Sequence, residues 1–205
     1  RGHRRGGQRN RGPHSGQQLV QQLVENLSRY GDTVEGLSDI ERVAASAATR
    51  FAAGELRTVV AAGGDGTAAL VANRTPPGLP LTILPLGTEN LLAKYAEVPQ
   101  DAQSVFQIIH EGVAVQLDAG RANGRLFLLM VGCGFDAEVV HRLHRERRGH
   151  IHQLSYLKPI LESIRSYQYP ELRIYCQDVP LDKTQLDPIT AKWAFVVNLP
   201  RYAVG

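Results

Sequence analysis

Apolar positions along this chain follow two periods in turn, 3.6 and 2, and each switch marks a change of element. Leu19, Val20, Leu23, Val24 and Leu27 share one face of a helix expected over 17–30, opened by Ser15 or Gly16 and closed by Gly31. Residues 32–35 are a short strand at best. Ser38 and Asp39 cap a second helix that runs to about Ala53, where Gly54 closes it. The β-branched run Thr58-Val59-Val60 falls in a strand expected over 57–61, followed by a glycine-rich turn and a helix to about Asn73. A strand over 81–84, helices over 88–96 and 101–111, and a strand over 113–118 complete the alternation. Strands that alternate with helices build a mostly parallel sheet, so the expected class is α/β.

After Asp118 the pattern changes. Arg121 to Val131 predicts a hairpin turning at Asn123-Gly124, because both residue types tolerate the positive φ of a tight hairpin turn. Helices follow over 136–147 and 153–167, and strands return at 171–177 and 192–198. The expected organisation is a tail at 1–12, an α/β domain at 13–118 and a β-rich domain at 119–205.

Composition narrows the class. Apolar residues make up 43%, enough for a core. No run reaches the roughly 18–20 apolar residues of a membrane-spanning helix; the longest, Leu126 to Val131, has strand length. The basic N-terminus has no apolar stretch after it and is not a secretory signal. Cys133 and Cys176 make no disulfide framework, and Cys133 falls in a strand expected to be buried, so both are expected reduced in a cytoplasmic protein. The net charge of +3 is carried by the tail: Arg1, Arg4, Arg5, Arg9 and Arg11 are five of the 23 basic residues, and the remainder carries −2. That balance excludes a basic nucleic-acid-binding core, and no specific nucleic-acid partner is expected. The Arg/Gly-rich tail is expected to be disordered; it either contacts RNA or anionic lipid or is an extension with no role.

The candidate chemistry sits at two strand ends. Gly63-Gly64-Asp65-Gly66-Thr67 lies between an apolar strand and a helix, where unpaired N–H groups and the helix dipole favour a phosphate. It is neither a Walker A loop nor the dinucleotide Gly-x-Gly-x-x-Gly pattern. An acid in a phosphate loop calls for a cation, so Asp65 suggests Mg²⁺, bound directly or through water. Pro85-Leu86-Gly87-Thr88-Glu89-Asn90 follows the next strand. Thr88 and Asn90 can cap the helix after them, and a capping group can also face a phosphate or ribose. Further on, His141 and His144 share a helix face without a third metal ligand in view. Arg142, Arg145, Arg147 and Arg148 form a basic stretch suited to anionic headgroups or to plain solvation. Tyr156, Tyr167, Tyr169 and Tyr175 are expected to pack in the core and at its rim.

Four segments in order resemble the motifs of the diacylglycerol kinase catalytic domain family, which includes bacterial lipid kinases and sphingosine kinases. They are Gly63 to Thr67, Pro85 to Asn90, Gln116-Leu117-Asp118-Ala119-Gly120, and Gly132-Cys133-Gly134-Phe135-Asp136-Ala137. The resemblance implies a Rossmann-like, mostly parallel α/β domain followed by a β-sandwich, with the active site in the cleft between them. It implies an ATP- and Mg²⁺-dependent kinase that moves the γ-phosphoryl group to a lipid hydroxyl such as that of diacylglycerol. ATP would be held by Gly63, Gly64, Asp65, Gly66, Thr67, Gly87, Thr88 and Asn90, with Asp118 near the cleft; read from position alone, Asp118 is equally a turn cap and Asp136 a helix N-cap. The lipid would be met at a membrane surface, by peripheral contact with the inner leaflet; a homodimer is left open.

The chain departs from the family in two places. Gly12-Pro13-His14-Ser15-Gly16 follows the arginine tail where the family has a strand leading into Asn-Pro-x-Ser-Gly, and Leu91 stands where the family often has Asp. The family's general base and principal metal ligands come from downstream of Gly205, so the catalytic residue is unknown in this chain. The strands after Asp118 make only part of a sandwich, and the expectation is a truncated chain with reduced or no activity alone. Two other readings stay open: an NAD kinase-like enzyme, which shares the first motif, and a non-catalytic nucleotide- or lipid-binding fragment.

Overall fold

The computed structural model describes residues 13–112, 114–145, 166–175 and 188–199. The arginine tail, most of the basic segment from His141 to His152, nearly all of the helix expected over 153–167, Tyr156 and Cys176 lie outside the described residues. The chain forms two compact units that divide after Leu128.

The first unit opens with α1 (Pro13–Arg29). It begins earlier than expected, because proline at a first helical position gives up an N–H that would be unpaired anyway. Ser15 and Gly16 are therefore inside the helix and do not cap it. Leu19, Leu23 and Leu27 are buried, while Val24 is 36% exposed, so the core-facing stripe is narrower than the five-residue face. No strand forms at 32–35; Asp32 is held instead by Arg57, at 3.0 Å. Next comes α2 (Ile40–Ala52), capped as expected by Asp39, whose carboxylate accepts from Arg42 N–H at 2.8 Å.

The centre of this unit is β1 (Val59–Gly63) paired in parallel with β2 (Leu81–Pro85). The pairing register sets Val59 opposite Leu81 and Gly63 opposite Pro85. β1 starts two residues later than expected, because Thr58 ends the preceding segment with its hydroxyl on Pro80 O (3.0 Å) and on the Thr82 hydroxyl (2.9 Å). The shift brings Gly63 into the ladder. α3 (Asp65–Arg74) crosses between the two strands. Beyond β2 lie α4 (Leu91–Tyr95) and α5 (Ala102–Glu111), the latter capped by Asp101 on Ser104 N–H at 2.8 Å. Val105, Phe106 and Ile109 of α5 close on Leu19, Leu23 and Leu27 of α1 and on Leu84 of β2. Each such side chain contributes roughly 1.5–3 kcal/mol through burial.

The strand expected over 113–118 is absent: 114–119 is irregular, and Val115 is 73% exposed with no neighbouring strand among the described residues to complete a ladder. The expected hairpin is present as β3 (Gly120–Ala122) and β4 (Arg125–Phe127), turning at Asn123 (φ 48°) and Gly124 (φ 78°). It was expected with the second domain. It belongs to the first unit because Asn73, at the end of α3, pairs with Leu126.

The second unit begins with β5 (Met130–Cys133) and α6 (Phe135–Arg145). After these come β6 (Leu172–Ile174), β7 (Ile189–Ala191) and β8 (Ala194–Val197). β5 pairs antiparallel with β8, and β6 with β7. Tyr167, Tyr169 and Trp193 gather around Phe135, with ring centroids 5.7–6.1 Å from it. Tyr175 is 67% exposed, outside this packing. Cys133, expected buried, is exposed at the end of β5. Among the described residues no helix is long and apolar enough to cross a membrane.

Candidate functional site

The parallel register delivers both glycine segments to the same end of the β1–β2 ladder. Leu86 N–H donates to Gly63 O at 3.0 Å, so the second loop leaves directly beside the first. A Cβ on Gly87 would stand 2.7 Å from Gly64 Cα, and one on Gly64 would stand 3.2 Å from Gly87 Cα. Two backbones this close leave no room for a side chain between them. Gly63 has its own constraint, since a Cβ there would overlap the Thr67 side chain folded across it.

Gly66 differs from these three. It is exposed, and a Cβ there would meet nothing within 4 Å. In a helix the Cα–Cβ bond tilts toward the N-terminus, so this open face lies in front of the first turn of α3. Gly64 is the N-cap, and its carbonyl accepts from Thr67 N–H (2.9 Å) and Ala68 N–H (3.2 Å). The N–H groups ahead of Thr67 lack the i−4 carbonyl that an interior helix position has. Open space, unpaired donors and the positive end of a ten-residue helix coincide there.

Asp65 is the first residue of α3, and its carboxylate turns toward α4. Leu91 N–H donates to Oδ2 at 3.0 Å and Leu92 N–H donates to Oδ1 at 2.9 Å. The expected caps of α4 do something else. Asn90 occupies the N-cap position in the left-handed region (φ 49°, ψ 50°) and makes no capping bond. Its amide folds back on Gly87, accepting from Gly87 N–H at 2.9 Å and donating to Gly87 O at 2.7 Å. Asn90 is 8% exposed, so both ends of a buried amide are satisfied by one residue. α4 starts at Leu91, which leaves Thr88 exposed and clear of the cap position. Thr88, Glu89, Asn90 and Lys94 line a shallow depression of about 180 Å³ beside this loop.

A family model, the diacylglycerol kinase catalytic domain, matches residues 9–122, a stretch that holds both loops. The chain belongs to that family. Within this diacylglycerol kinase family, it is 30% identical over 161 residues to a diacylglycerol kinase of Bacillus subtilis (77% of this chain, 51% of that protein). It is 40% identical over 85 residues to a YegS-like lipid kinase of Pseudomonas aeruginosa (40% of this chain, 28% of that protein). A solved structure of a Bacillus anthracis protein named as a diacylglycerol kinase shares the fold, with TM-score 0.57 at 22% identity, over 90% of this chain and 60% of that one. The chain thus spans about half or less of the length of these curated relatives.

The other expected site residues lie outside these two loops. Asp118 lies exposed in the irregular stretch before β3. Asp136 is the second residue of α6, not its N-cap, because the helix begins at Phe135 and Gly134 O accepts from Glu138 N–H. The Asp136 carboxylate lies over Gly132, where a Cβ would stand 2.8 Å from Oδ2, and burial raises its pKa. Arg142, in the basic stretch suited to headgroups or to plain solvation, donates to Glu138 Oε1 (2.6 Å) and to the Ser166 hydroxyl (2.7 Å). The sequence marks Asn73 only as the end of a helix, yet it joins α3 to the hairpin. Its amide donates to Ala69 O (2.8 Å) and Leu126 O (2.9 Å) and accepts from Leu126 N–H (2.8 Å). Nothing in the local sequence marks that role.

Proposed function

We propose that the protein is part of an ATP-dependent lipid kinase, and that the first turn of α3 receives the nucleotide phosphates. The observation that carries this reading is the open face of Gly66 in front of unpaired helix N–H groups, next to a second glycine loop held against it. Gly63, Gly64 and Gly87 shape the floor, Gly66 admits the phosphate, and Thr67, Thr88 and Asn90 border it. Magnesium supplies charge neutralisation on the phosphates when bound, which is the main demand of phosphoryl transfer beyond positioning. Both Asp65 oxygens already accept backbone N–H groups of α4, so that carboxylate is turned to the second loop.

The acceptor on this reading is a lipid hydroxyl. Diacylglycerol is the first candidate, by the name of the Bacillus subtilis relative. The general base and the principal metal ligands come from the part of the family's length that this chain does not span, where the β-sandwich is also completed. Contact with the membrane is peripheral. The test is transfer of labelled γ-phosphate from ATP with Mg²⁺ to a lipid panel and to NAD, run on this chain and on the full-length gene product. Labelled lipid from the full-length product supports the reading. Labelled NAD, or no transfer to any lipid, contradicts it.

A further inference from the structure

The Asp65 carboxylate joins the first loop to the helix that follows the second. It starts α3, the helix that follows the first loop, and it supplies the missing N-cap of α4, the helix that follows the second. An N-cap oxygen satisfies one orphan N–H of a helix, and here a single side chain from 26 residues away satisfies two, on Leu91 and Leu92. Asn90 would ordinarily hold that position, but its amide is committed to Gly87. The division of labour is consistent: Asn90 closes the second loop on itself, and Asp65 ties that closed loop to the first. The Gly64–Gly87 backbone contact lies between these two ties.

We propose that Asp65 is a positioning residue for the nucleotide site. Its charge serves α4, and its position keeps the Gly87 loop seated on the Gly64 loop, so that both border one phosphate. The acid in the glycine motif is then a loop clamp and not a metal ligand. Helix capping by a carboxylate is charge-assisted, and its removal leaves Leu91 N–H and Leu92 N–H without an acceptor. This inference rests on the nucleotide reading of the site, but its first readout does not.

Asp65→Asn keeps the shape of the side chain with one acceptor oxygen in place of two. Asp65→Glu keeps the charge but adds a methylene, which moves the oxygens off the α4 cap. The experiment uses the full-length gene product, with ATP binding by calorimetry in Mg²⁺ and in EDTA, and amide hydrogen exchange at Leu91 and Leu92. A clamp predicts faster exchange at both amides in both variants. It also predicts ATP affinity about tenfold weaker by a similar factor with and without Mg²⁺, with Glu no better than Asn. A metal ligand predicts the reverse: exchange unchanged, loss confined to the Mg²⁺ arm, and Glu better than Asn. That result would overturn the proposal. Absence of ATP binding by the unmutated protein would overturn the kinase reading instead. The exchange arm would then still decide the clamp, with faster exchange supporting it and unchanged exchange overturning it.

Discussion

Gly64 and Gly87 touch backbone to backbone, with 2.7 Å between Gly64 Cα and the place a Cβ on Gly87 would take. The contact explains why each motif needs a glycine at that point before any ligand is considered. It also makes Gly87→Ala a folding variant. The added methyl meets Gly64 and the Asn90 Oδ1 together, neither of which can move without breaking the loop. Overpacking of this kind costs typically about 1–3 kcal/mol. The expected outcome is a lower urea midpoint at unchanged slope, and a wild-type midpoint would show that the loops have slack.

Asn73 carries a second such link. Its amide acts as a one-residue strand against Leu126, pairing with both the N–H and the carbonyl of that residue. Asn73→Ala improves local helix propensity but strands the Leu126 N–H in a partly buried position. A net loss of about 1–3 kcal/mol is expected. Hydrogen exchange at Leu126 should speed up far more than exchange in α1 or α5, and uniform acceleration would argue against a local tie.

Asp136 predicts a pH dependence. Burial raises its pKa above the ordinary 3.8, so between the unfolded and folded values the folded chain binds more protons than the unfolded one. Stability contributed by this group therefore falls as pH rises through that window, and the penalty is fully present above it. Asp136→Asn should raise the urea midpoint at about pH 7 more than at about pH 4, and so flatten the difference between them. Equal shifts at both pH values would contradict burial as the cause.

Much of this was legible in the residues, for identifiable reasons. The two loops follow apolar strands of ordinary length, and short-range signals such as Asp39 and Asn123-Gly124 act through neighbours in sequence. Where the expectation failed, a partner distant in sequence had won or was lacking among the described residues. The strand pattern around Val115 found no neighbour among the described residues. The cap of α4 came from Asp65, 26 residues upstream of Leu91, while Asn90 turned away from it. Asn73 reaches 53 residues along the chain to Leu126. None of these choices is written in a local propensity.

The claim that phosphate binds at the first turn of α3 is tested most directly by Gly66→Ala, with ATP–Mg²⁺ affinity and thermal stability measured on the same full-length preparation. Outside its own helix and chain neighbours, a Cβ there meets no atom within 4 Å, and alanine suits a helix better than glycine, so stability should hold or rise by about 0.4–1 kcal/mol. Its methyl projects into the space in front of the helix, so affinity should fall about tenfold or more, equivalent to at least about 1.4 kcal/mol. A stable variant that binds ATP as tightly as the unmutated protein would contradict the site.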